Sequence, residues 1–332
     1  MSDSSRREFL RGLLGAGFAA AAVGGLSGSC DITRENHDEV FQKKRGVGRG
    51  RRKDLDETLA DEKSLEPEEL VGESIWEGER FEQAQARLRT ASVLAPNDLA
   101  EWVVFDVAGS RPVHQEVGKE WNRPERFDLG WLGSILCAYT AMQTGHLEVG
   151  EGVVCRGDPG VPRGHGRINV VEALRVGCRS FFQRVSDRFT FEEFRIGARL
   201  LGLEKQLPAR PDCYMERIGL YAQGKGLEVT LKDLQRMGIR LARGDRGDFA
   251  MQAVRLGLLN AVRSGFVQKA GVPGMGIAGT IGFPRNETGE ALTLLWTPFG
   301  KARFLLLART LPETDPAELA ARIFKTLQLA QA

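Results

Sequence analysis

The sequence is short of cysteine, histidine and net charge, and each shortage removes a class of protein. Five cysteines in 332 residues are too few for a disulfide-stapled scaffold, and their positions (30, 137, 155, 178 and 213) hold no Cys-x-x-Cys pair. That pair is the spacing on which most structural zinc sites rest. There are only 4 histidines and no His-Glu-x-x-His run, so spacing along the chain predicts neither a metal nor a cofactor. The 46 Lys+Arg are nearly balanced by 44 Asp+Glu, for a formal net charge of +2. Without a basic field, nucleic acid is not expected as a partner. No internal repeat at a fixed period is present, which removes solenoids and propellers. What is left, 42% hydrophobic and 27% charged, is an ordinary globular chain, long enough for one large domain or two modest ones.

The N-terminus carries the first positive signal. Ser5-Arg6-Arg7-Glu8-Phe9-Leu10-Arg11 is a twin-arginine pattern, and Gly12 to Ser29 is an uncharged stretch dominated by Ala and Gly. Glycines at 12, 15, 17, 24 and 25 make it a poor membrane span, whereas the export route for folded proteins tolerates weak hydrophobicity. Residues 1–30 therefore read as an export signal. It would place the chain in the periplasm or on the outer face of the envelope, touching membrane only through the signal or a lipid anchor. Cys30, after Leu26-Ser27-Gly28-Ser29, is a candidate for lipidation. Leu26 stands one place too far from it for the usual lipobox, and cleavage at Ser27 and Ser29 is the alternative. Outside the cytoplasm the other four cysteines are able to pair.

Residues 31–74 read as a charged, disordered linker. A basic run (Lys43-Lys44-Arg45, Arg49, Arg51, Arg52, Lys53) is followed directly by Asp54, Asp56, Glu57, Asp61, Glu62, Glu66, Glu68 and Glu69. Apolar residues are too sparse to offset the entropy of ordering. The neighbouring opposite charges partly cancel, which favours a solvated tether over a contact with anionic envelope polymers.

From 75 to 332 the chain reads as one folded domain. Trp76, Phe81 and Leu88 mark an amphipathic helix, and Trp102 to Val107 and Arg111 to Val113 flank Ala108-Gly109-Ser110 as a hairpin. Asn169 with Glu172, Thr190 with Glu193 and Thr230 with Asp233 have the spacing of capping boxes. Two β-rich runs, 291–296 and 302–308, precede a last helix opened by Asp315-Pro316 with the apolar stripe Leu319, Ile323, Phe324 and Leu327. Strands at both ends with helices between them predict an α+β domain whose sheet is built from both ends of the chain.

The segment from Gly164-His165-Gly166 through Asn169 to Gly177-Cys178-Arg179 resembles the middle of a penicillin-binding transpeptidase domain, where a Gly-His-Gly leads into a helix ending in Ser-x-Asn. Gly224-Lys225-Gly226 before Val229-Thr230 resembles the family's glycine-rich turn, and Val254 to Gly265 resembles the helix before its final strands. Ala278-Gly279-Thr280-Ile281-Gly282 stands where the family has Ala-Gly-Lys-Thr-Gly. The likeness covers roughly Ser92 to Gln328. It implies a β-lactamase/transpeptidase-like fold, a five-stranded antiparallel sheet flanked by helices, with a cleft at one sheet edge.

The same resemblance implies altered chemistry at all three motifs. The family needs a serine nucleophile with a lysine three positions on, one helical turn away. Counting back from Thr144-Gly145 puts Trp131 and Ser134 at these places. The Ser-x-Asn motif becomes Gly177-Cys178-Arg179, and in the third motif Thr280 replaces lysine, Ile281 follows, and only Gly282 is kept. No catalytic residue is expected. Arg179, Thr280 and Gly282 are the candidate binding residues, the first for a peptide carboxylate or an internal salt bridge, the others for a peptide added along the strand. Trp131 is expected in or against the groove. Cys178 reads as packing rather than as a substitute nucleophile because no nearby pattern supplies a base. Ser134 is followed three positions later by Cys137 instead of lysine, and His165 reads as a structural turn residue. The resulting expectation is a catalytically inactive envelope protein that binds peptidoglycan peptides or a cell-wall synthesis protein. A divergent acyl-transfer enzyme and a structural tether are the alternatives.

Overall fold

The structure is a computed structural model, and it describes residues 79–329 except 92, 108–109, 158–162, 245–246, 283–288 and 298–303. The export signal, Cys30, the linker and Trp76 lie outside these residues. The first half runs α1 (Glu79–Thr90), β1 (Ala100–Asp106), β2 (Arg111–Val117), β3 (Phe127–Asp128), α2 (Gly133–Gln143), β4 (Val153–Cys155), β5 (Gly166–Ile168), α3 (Val170–Val176) and α4 (Arg179–Ser186). The second half runs α5 (Phe191–Leu201), α6 (Tyr214–Gln223), β6 (Glu228–Val229), α7 (Leu231–Arg243), α8 (Phe249–Ser264), β7 (Ala278–Gly282), β8 (Ala291–Trp296), β9 (Phe304–Thr310) and α9 (Pro316–Leu329). Among these described residues no helix is long and apolar enough to cross a membrane.

The main sheet has five strands in the order β2-β1-β9-β8-β7, and every neighbouring pair is antiparallel. Both chain ends contribute to it, as the hydrophobic runs predict. The central strands are apolar on both sides because both faces are covered. Along β9, Leu305 and Leu307 join the core under the helical layer. Phe304, Leu306 and Ala308 join a second core with Leu88 of α1 and Leu319, Ile323, Phe324 and Leu327 of α9. Alternation along a strand sends successive side chains to opposite faces, so a run with two buried faces reads as continuous hydrophobicity.

The helix starts follow the local signals. Thr190 and Thr230 form reciprocal capping boxes with Glu193 and Asp233. Asn169 accepts the Glu172 N–H at 2.9 Å, while the Glu172 carboxylate turns to Arg175 Nε at 2.8 Å. A charged pair is buried in the sheet: Arg309 of β9 pairs with the buried Glu290 and with Glu101 at 3.3 Å. Its guanidinium lies over the Phe127 ring, 4.3 Å from the centroid. Ion pairs at Nε and Nη1 and the aromatic face offset part of the cost of burying that charge.

Candidate functional site

The site begins where the chain leaves β3. Two small strands, β3 and β6, pair antiparallel, and Leu129 N–H donates to Leu227 O at 2.9 Å. A 3₁₀ turn, Gly130–Leu132, then passes directly into α2. A side chain at Gly133 would lie 2.4 Å from the Gly224 backbone nitrogen, so the glycine-rich turn after α6 presses backbone to backbone on the start of α2. Trp131 lies in the 3₁₀ turn.

Trp131 is half-buried and sits against the third-motif strand. A Cβ at Gly282 would stand 3.1 Å from Trp131 Cβ and 3.2 Å from Leu132 N. The indole meets Phe182 of α4 edge-on, with centroids 5.7 Å apart at 77°, a favourable aromatic geometry. Trp131 thus bridges β7 and α4, reaching the latter through Phe182, one turn after Arg179. All five residues of β7 are buried. Alternation puts Thr280 and Gly282 on the Trp131 side and Ile281 in the opposite core. Thr280 is 1% exposed and Ser134 fully buried, and among the described residues neither hydroxyl has a hydrogen-bond partner.

At the second motif, Gly177 ends α3 in the left-handed region at φ 65°, the conformation that favours glycine at a helix C-terminus. A Cβ there would be 3.2 Å from the Phe266 ring. Cys178 is the N-cap of α4, and its N–H donates to Ala173 O at 2.9 Å. Arg179 is half-buried in the first turn of α4, where the positive end of the helix dipole favours an anion beside it.

Cys137, which follows Ser134 in place of a lysine, is no base or nucleophile: full burial, reinforced by Asp187, pushes its thiol well above the ordinary range. Cys178 needs a correction. The chain pattern places no base near it, but the fold does. Cys155 Sγ, a His165 ring nitrogen and Cys178 Sγ all lie within 4.8 Å of one another, and Cys155 Sγ is 3.6 Å from His165 Nδ1. No disulfide joins Cys137, Cys155, Cys178 or Cys213. The spacing argument against a metal site therefore overlooked three side chains able to hold one. Cys155 stands opposite Gly166 in the β4–β5 ladder, which puts it beside His165, and the α3–α4 junction brings in Cys178.

No protein-family model matches the sequence, and no curated protein matches it. Solved structures match its architecture. A peptidoglycan glycosyltransferase from Burkholderia ambifaria superposes with TM-score 0.59 at 17% identity, over 75% of this chain and 93% of that one. The transpeptidase domain of the FtsI4 D,D-transpeptidase from Legionella pneumophila gives 0.55 at 17% identity, over 78% and 98%. The D,D-transpeptidase domain of a peptidoglycan glycosyltransferase from Eggerthella lenta gives 0.60 at 13% identity, over 77% and 82%. The fold is transpeptidase-like.

Three residues that pack around the candidate positions, Phe182, Phe266 and Cys155, are not indicated by the sequence motifs. Phe181-Phe182 directly after Arg179-Ser180 was the available signal for an aromatic wall. Cys155 had none, because β4 is three residues long and its pairing with β5 is visible only in the folded chain.

Proposed function

We propose that this chain is a non-catalytic transpeptidase-like protein of the cell envelope that binds peptidoglycan peptides or a protein of the cell-wall synthesis machinery. One observation carries the reading. Trp131, which the sequence resemblance aligns with the nucleophilic serine, packs on Gly282 and Phe182, and Ser134, aligned with the lysine, is buried. An indole cannot attack a carbonyl, and an unassisted hydroxyl is no general base. Thr280 likewise offers no cation for a substrate carboxylate. Arg179, at the head of α4, is the cation proposed to meet one. A peptide added along β7, beside Thr280 and Gly282, would first have to displace Trp131 and Leu132 from Gly282.

Incubation with a fluorescent penicillin at neutral pH is expected to leave the intact mass unchanged, while immobilised muropeptides or a wall synthase retain the protein. A stable adduct on any serine overturns the reading. The proximity of His165 to Cys178 favours a second reading, a divergent acyl-transfer enzyme with a cysteine nucleophile. The burial of Cys178, at 2% exposure, opposes it because a nucleophile must reach its substrate. An adduct on Cys178 would establish it.

Export by the twin-arginine route, with Cys30 as an acyl acceptor or a signal remnant and residues 31–74 as a tether, belongs to the same proposal. Replacing Arg6 and Arg7 together by lysine keeps the charge and is expected to block export, since a receptor reads the pair. Continued export would remove this part of the proposal, and the mass of the extracted protein decides whether Cys30 is acylated.

A further inference from the structure

We propose that Cys155, His165 and Cys178 form a binding site for a single zinc ion. The three donors come from three separate pieces of chain: the end of β4, the residue before β5 and the N-cap of α4. Their ligand atoms lie within 4.8 Å of one another. Two thiolates and an imidazole are the borderline-soft donors that zinc selects. With Zn–S of about 2.3 Å and Zn–N of about 2.0–2.1 Å, a tetrahedral site has an S···N edge of about 3.6 Å. Cys155 Sγ and His165 Nδ1 are separated by 3.6 Å. The S···S edge of such a site is about 3.8 Å, so side-chain shifts of about 1 Å close the set around an ion.

Charge favours the same occupant. Binding Zn²⁺ forms two Zn–S bonds and one Zn–N bond and releases the two thiol protons to solvent. The product, one dication with two thiolates and a neutral imidazole, has no net charge. That suits a place where Cys155 and Cys178 are 4% and 2% exposed, because an uncompensated ion is costly to bury. The half-buried His165 leaves one side for a fourth ligand. Such a site would cross-link the β4–β5 hairpin to the α3–α4 junction, next to Arg179.

The test uses the full chain, reduced, stripped with a chelator and desalted. Titration with zinc alone is expected to saturate at one ion per chain, with about two protons released per ion and a rise in melting temperature. Cobalt in its place should give thiolate-to-metal charge-transfer absorption and tetrahedral visible bands. Cys178→Ser and His165→Gln should each weaken zinc binding by more than about 100-fold, beyond the effect of losing an outer-shell partner. His165→Gln changes a half-buried turn residue, so it reads the site even where Cys178→Ser misfolds. Cys213→Ser, outside the cluster, should bind as wild type. Zinc affinity unchanged in both ligand variants, or a cobalt complex without the thiolate band, overturns the proposal. So does a Cys155–Cys178 disulfide found by peptide mapping of protein isolated without reductant.

Discussion

At one edge of the five-stranded sheet, β2 carries Arg111, His114, Gln115 and Glu116, and Val113 is its one buried residue. At the other, β7 carries no charge, has two glycines and is buried throughout. Charged side chains protect an open edge from pairing with other chains, and an uncharged edge needs a cover. Part of the cover on β7 is the turn that opens α2, with Trp131 and Leu132 lying over Gly282. The contrast bears on how Gly282 is read. Gly282 would permit close approach of a ligand, but here protein makes the approach, so the glycine is explained without any bound molecule.

The largest effect is expected from breaking the covered edge at Gly279. Its φ is 137°, and a Cβ there would lie 2.1 Å from Leu294 O. Gly279→Val is therefore expected to cost about 3 kcal/mol or more by overpacking and backbone strain, measured by urea denaturation. A cost under about 1 kcal/mol would mean that β7 can leave β8 easily. Trp131→Ala should cost about 2 kcal/mol, below the range for a fully buried aromatic because the ring is half-buried. The same variant uncovers Gly282. If β7 receives peptide, muropeptide binding should strengthen in that variant, and unchanged binding would move the receptor elsewhere.

The open edge responds to pH. Burial, with Arg89 adding to it, lowers the His114 pKa below its ordinary 6.5. The unfolded chain then takes up the proton first, so stability held above about pH 6.5 declines as pH falls toward the folded-state value. Melting curves of wild type and His114→Gln should converge at acid pH, and a constant gap would remove His114 as the cause. The smallest effect is expected at Val117, a half-exposed residue at the end of β2. Val117→Lys should change stability by no more than about 0.5 kcal/mol. A larger loss in the same denaturation assay would mean that β2 is covered too.

Much of the fold was legible because its signals are local. The capping residues Thr190 and Thr230, the hairpin around residues 108–110 and the stripe of α9 each depend on neighbours within a few positions or on one hydrophobic run. The candidate site was legible only in part. Counting from Thr144-Gly145 put Trp131 at the start of a helix, and the resemblance put Thr280 and Gly282 on a strand, as β7 bears out. Neither could place Phe182 against the indole, because the angle between α2 and α4 is set by how their buried faces interlock.

By itself, the sequence determined the order of helices and strands and the use of both chain ends in one sheet. These follow from propensity, capping and alternation, which act over a few residues. Only the tertiary structure decided what the side chains of the candidate site touch. It set Trp131 over Gly282, aimed Phe266 at Gly177, and gathered Cys155, His165 and Cys178 from three segments with no common spacing. Such meetings depend on which elements stack and in what register. That choice is made by burial of the whole core, and no short window of sequence contains it.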